Sequence, residues 1–174
     1  VDPQDEEREP KVIDALVRLL HVAGVLIWVG HNWVNVVHNP VYRGVLPAEP
    51  PEAARDVFIA ASKREHGIFR HASLIVWVTG LFILWQRGLL SAAVTLSPPA
   101  ATLGLGVWLG TLMVLNLWLV MWPHQKKVLG FVPASTQERL SCSRVTFVSS
   151  RVNTVLSVPT LFFMIAGAHG VDVI

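Results

Sequence analysis

Long apolar stretches broken by short polar ones dominate the chain. From Val12 to Val37 it reads VIDALVRLLHVAGVLIWVGHNWVNVV, and comparable runs span about Gly67–Trp85, Ala100–Trp122 and Val152–His169. A helix needs roughly 20 mostly apolar residues to cross a bilayer. Lipid cannot pair with backbone polar groups, so such runs are expected to be helical. The third run is the cleanest: it has no charged residue, and Pro99 and Pro123 mark its ends. The second carries Arg70 and His71 in its first turns, where the arginine is expected to snorkel toward the headgroups. The segment after Arg87, GLLSAAVTLSPP, is too short to span and reads as a connection at the lipid surface. The pattern predicts an all-α, integral membrane four-helix bundle, with an acidic polar leader over 1–11 and a four-span domain over 12–174.

Four spans place both termini on one side. Arg8, Lys11, Arg18 and Arg87 fall on that side, while the other ten of the 14 Lys and Arg fall on the opposite one. Loops rich in Lys and Arg stay cytoplasmic, so both termini are expected on the outer, periplasmic side of a bacterial inner membrane.

Composition agrees and narrows the chemistry. Hydrophobic residues make up 52% of the chain and charged residues 15%, and mean hydropathy is +0.50. A formal charge of +2 with no basic stripe gives no basis for nucleic-acid binding. The single cysteine, Cys142, leaves no internal disulfide, no Cys-x-x-Cys zinc site and no Cys-x-x-Cys-His haem attachment. The leader VDPQDEEREPK lacks the basic start of an export signal. Phosphate-binding glycine loops and serine nucleophile elbows are also missing from the sequence.

The seven histidines are the conspicuous chemistry. Ionisable side chains within a span are costly, which makes them functional candidates. On the predicted topology His21 and His169 lie toward the terminal side of the first and fourth spans. His31 and His38 share a face near the other end of the first span, where His66 and His71 open the second and His124 follows the third. Imidazoles on facing helices are what a non-covalent b-type haem requires. His21 with His169 is the first expected axial pair. One of His31 or His38 with one of His66 or His71 is the second, with His31 and His71 favoured. Arg18 and Arg151 are candidates for the propionates. Small residues such as Gly24, Gly80, Gly104, Gly106 and Gly167 would leave room for the macrocycle. A copper or zinc site on His31, His66 and His124 is the rival use. Trp33, Trp85 and Trp122 fit an interfacial belt, and Trp28 either fills the core or packs a haem.

Several segments resemble the bacterial membrane-bound urate hydroxylases. RLLHVAGVLIWVG matches their first span through Arg18, His21, Trp28 and Gly30. TLMVLNLWLVMWPHQKKVLG is similar to a later span through Asn116, Pro123, Gln125, Lys126 and Lys127. RVNTVLSVPTLFFMIAGAHG is similar through Asn153, Pro159, Met164 and His169, with a fainter echo in Phe69, Trp77 and Gly80. The resemblance implies a redox-linked membrane module, here without the family's C-terminal cytochrome c. The resulting expectation is a subunit carrying one or two b haems, passing electrons between a quinone or partner enzyme and an outer-face acceptor such as cytochrome c. The alternative is a cofactor-free accessory subunit of a larger respiratory or photosynthetic complex.

Overall fold

The computed structural model describes residues 3–42 and 52–174, with side chains described for 11–42, 60–61 and 63–174. It consists of α1 (Pro3–His38), α2 (Glu52–Gln86), the short α3 (Leu90–Val94), α4 (Ala101–Leu115), a π-helical segment (Asn116–Met121) running into α5 (Trp122–Val128), and α6 (Thr136–Ala168). Among the described residues four helical stretches are long and apolar enough to cross a membrane: Lys11–His38, Lys63–Gln86, Ala101–Val128 and Thr136–Ala168. The protein is a multi-pass membrane protein built from helices. Its extensive contacts run between α4 and α6 and between α1 and α2, with smaller ones joining α1 to α6 and α2 to α4. The lateral order is therefore α2, α1, α6, α4, closing back on α2.

The fourth span differs most from the sequence expectation. Its helix begins at Thr136 rather than near Val152. Ser135 starts it with a capping box: its hydroxyl accepts from the Glu138 N–H at 3.3 Å, and the Glu138 carboxylate accepts from the Ser135 N–H at 3.0 Å. The polar residues that disguised the added turns point inward. Cys142, Thr146, Ser149, Asn153 and Ser157 are all buried, at spacings of three and four that place them along one face.

That face binds α4. Asn116 Nδ2 donates to the Ser149 carbonyl at 2.9 Å and to Asn153 Oδ1 at 2.8 Å. Ser149 Oγ donates to Asn116 Oδ1 at 2.7 Å. Asn153 Nδ2 donates to the Met113 carbonyl at 3.1 Å, just before the widened π turn. Such turns interrupt the regular i to i−4 ladder and recur at functional sites. Large apolar side chains such as Leu26, Val37 and Val155 point outward instead. Apolar exterior and small or polar interior is the packing expected in lipid, where tails already solvate leucine and valine.

Several glycines that were expected to make room for a macrocycle instead bring helices together. A side chain at Gly104 would strike the Ala93 carbonyl, which seats α3 against α4, and Ala93 itself is fully buried. A Cβ at Gly167 would lie 2.8 Å from the Leu103 nitrogen, and one at Gly106 would lie 3.2 Å from the Met164 nitrogen. The α4–α6 contact is thus backbone to backbone.

Two stability measurements check this packing. Asn153→Leu leaves Asn116 and the Met113 carbonyl each short of a partner, and should cost about 1–2 kcal/mol. Its thermal midpoint in detergent should fall, while the lipid-facing Val155→Ala stays close to wild type. Gly104→Ala should destabilise by overpacking, about 1–3 kcal/mol. Gly30→Ala, where nothing lies within 4 Å of an added Cβ, should be neutral or slightly stabilising in the same assay.

Candidate functional site

At the end of the bundle carrying the α1–α2 and α5–α6 connections, α1, α2, α5, α6 and the π segment surround a cavity of about 560 Å³. Trp28, Phe69, Trp122, Tyr42 and Phe147 supply aromatic walls, and His31, Asn32, Asn35, His66, Arg70 and Gln125 supply polar groups. The cavity exists because α1 and α2 approach closely below it. A Cβ at Gly24 would meet the Val76 side chain at 2.8 Å, and Trp28, 4% exposed, packs on Ala72 and Met113 as the floor.

Arg70 is the decisive side chain. It was expected to snorkel outward. Instead its guanidinium lies over the Trp122 indole at 3.7 Å and near the Trp118 ring at 5.3 Å. Trp118 is held in turn by Ser73: its Nε1–H donates to Ser73 Oγ at 3.2 Å, and that hydroxyl donates to the Arg70 carbonyl at 2.7 Å. Cation–π contact provides an energetic alternative to water for the charge. It satisfies no N–H, and the Arg70 Nε and Nη1 atoms are buried without a hydrogen-bond partner. Asn32, 5% exposed, has its Nδ2 in the same condition. All of these unmet groups are donors.

Several other polar groups of the cavity are engaged. The Gln125 amide nitrogen lies 3.0 Å from His66 Nε2. An amide nitrogen only donates, so with that amide orientation His66 accepts at Nε2 and carries its proton on Nδ1. His31 stacks on Phe69 with ring centroids 3.6 Å apart, sits edge-on to His66 at 6.3 Å, and places Nδ1 3.7 Å from Glu65 Oε1. The mouth is fastened by two clamps that join α1 and the residues just after it to α6. Arg151 donates to Asn35 Oδ1 at 3.1 Å, to Ser150 Oγ at 3.2 Å and to the Asn39 carbonyl, above the Phe147 ring. The Tyr42 hydroxyl donates to the Leu140 carbonyl at 3.2 Å.

The other sequence-chosen residues fall elsewhere. His21 faces α2, with Nδ1 3.0 Å from Thr79 Oγ1 and the ring against Gly80. The Thr79 hydroxyl spends its proton on the Ile75 carbonyl at 2.5 Å. It must therefore accept from His21 Nδ1–H, leaving the lone pair on Nε2. His169 is the C-cap of α6, exposed, with Nδ1–H donating to the Ile165 carbonyl at 2.8 Å. Among the described contacts no hydrogen bond or ring contact joins His21 to His169. His71 and His124 use the same local device, donating Nδ1–H to the carbonyls of Gly67 at 2.8 Å and Val120 at 2.7 Å. His31 meets His66 in the cavity, whereas His71 lies in a separate groove on α2. Arg18 is paired with Asp14 at 2.6 Å on its own helix.

Among the described residues, no three His, Cys, Asp or Glu side chains are grouped to hold a metal ion. Of the rival copper or zinc set, only His31 and His66 come together. Trp122 serves Arg70 rather than the interfacial belt alone. The functional residues not singled out from sequence are Arg70, Asn32 and Tyr42. Their available signal was the pair Asn32 and Asn35 inside an apolar span, one turn apart and flanked by His31 and His38.

Comparison with known proteins adds the family. No curated protein and no solved structure matches the chain. The family described as urate oxidase N-terminal matches residues 63–172, more than half of the sequence and all of α4, α5 and α6, together with Arg70, Trp122 and Gln125 of the cavity. The protein belongs to the urate oxidase N-terminal family.

Proposed function

We propose that this protein is a urate-hydroxylase-like membrane redox domain whose cavity binds a planar, acceptor-rich anion, an oxo-heterocycle of the urate type. One observation carries this reading: the buried unmet groups of the cavity are all N–H donors, on Arg70 and Asn32. A buried donor without a partner is costly, and an anionic ring with several carbonyl or deprotonated nitrogen acceptors supplies what both residues lack. The guanidinium is planar and held rigid by two indoles, which suits two-point recognition of such an edge. Aromatic walls from Trp28, Phe69 and Trp122 match the faces of a flat ring.

A b-type haem is the second reading, supported by His21. Metal-bound imidazoles commonly donate their other ring N–H to a fixed partner. His21 already does so toward Thr79, which keeps Nε2 available as a ligand atom. His21 and His169 are the residues that would hold the group. When bound, it would supply one-electron transfer within the membrane.

Two experiments test these readings. Urate titrated into the full chain in nanodiscs should bind, and Arg70→Gln should weaken binding about 10- to 100-fold, the loss expected for hydrogen bonds to a charged group. Arg70→Lys should fall in between, since lysine keeps the charge but not the fork. Equal affinity in wild type and Arg70→Gln would overturn the cavity reading. For the haem, protein from haem-replete cells should give a reduced-minus-oxidised b-type spectrum that His21→Ala removes. A colourless wild-type preparation would exclude it.

A further inference from the structure

Beside the cavity, on a different face of α2, lies a shallow groove at the seam with α1. Ile27 of α1 and Gly67, Ile68, Ala72 and Ile75 of α2 form its apolar walls, with His71 within it and Arg64 two turns away along the helix. Gly67 opens the groove, since nothing lies within 4 Å of where its Cβ would be. His71 is exposed, and its Nδ1–H is committed to the Gly67 carbonyl at 2.8 Å. Nε2 therefore keeps its lone pair in a groove that is apolar apart from Arg64. A lone acceptor facing lipid is costly unless a donor arrives with the occupant.

We propose that this groove is a quinol-binding site, with His71 Nε2 accepting a hydrogen bond from the quinol hydroxyl and the prenyl tail lying along Ile68, Ala72 and Ile75. A phospholipid would satisfy Arg64 through its phosphate but would set an acyl chain against His71, leaving Nε2 without a donor. A quinol is the lipid-soluble molecule that carries an O–H donor on a flat ring joined to an apolar tail. His71 also sits edge-on to Trp118, with centroids 6.0 Å apart, and Trp118 contacts Arg70 of the cavity. One indole separates the two sites. A two-electron oxidation in the cavity that takes its oxygen from water releases two electrons and two protons, which together reduce one quinone to the quinol that the groove binds. That coupling rests on the cavity reading; the binding site does not.

The test uses the full chain in quinone-free phosphatidylcholine nanodiscs and a benzoquinol with a ten-carbon tail and a photoreactive diazirine. Saturable labelling within residues 63–75 is expected. His71→Leu should weaken it at least tenfold. Gly67→Leu should block it, because a Cβ there meets nothing within 4 Å and the longer side chain extends into the groove, while the backbone carbonyl of residue 67 still holds the His71 ring. Both variants should keep wild-type urate affinity and thermal midpoint. Labelling spread evenly over the lipid-facing helices, undiminished labelling in both variants, or displacement by phosphatidylglycerol in preference to unlabelled quinol would each overturn the site. Loss of urate binding with groove labelling intact would instead overturn the cavity reading alone.

Discussion

Lipid supplies no hydrogen-bond partners, and the rest of this structure follows from that constraint. Every polar group inside the bilayer must be paired by the protein or by something the protein binds. The α6 stripe from Cys142 to Ser157 turns inward for that reason. The Asn116, Ser149 and Asn153 side chains pair among themselves and with backbone carbonyls. Close approach of the helices makes these bonds possible, and glycines at the α4–α6 contact allow the approach. Packing and polar pairing are one arrangement here, and neither survives without the other.

The same constraint gives meaning to the groups that are not paired. Arg151 and Arg70 both carry a guanidinium into the bundle, yet their surroundings differ. Arg151 reaches Asn35, Asn39 and Ser150, and so works as a fastener between α1 and α6. Arg70 meets only indole faces, which compensate its charge while leaving two nitrogen atoms unbonded. Asn32 repeats the pattern from the opposite helix. Three donor nitrogens with no acceptor, on two side chains from two helices around one cavity, describe a ligand by what it must bring.

Three histidines, His71, His124 and His169, share a local device in which Nδ1–H is tied to the carbonyl four residues earlier. The helix itself sets their tautomer, and the fold decides only what Nε2 faces. For His71 that is an apolar groove, and for His169 the open end of α6. His21 reaches the same tautomer by a tertiary route, through a threonine on another helix whose proton is already spent.

The number of spans and the all-helical class were legible from the chain, because hydropathy and length are properties of a contiguous segment and need no knowledge of neighbours. The family was legible too, through motifs such as Asn116 with the later Pro123 and Gln125 that keep their order and spacing. The start of α6 was not, because inward-facing serine, threonine and asparagine lower the apolarity of a stretch that nonetheless spans. Arg70 was misjudged for a related reason: the indoles that hold it lie far along the chain, and only folding makes Trp118 and Trp122 its neighbours. Partnerships among the histidines depended on the lateral order α2, α1, α6, α4 and on the rotation of each helix about its axis. Side-chain packing sets both, so His31 meets His66 while His71 turns to another face, a distinction that no one-dimensional pattern contains.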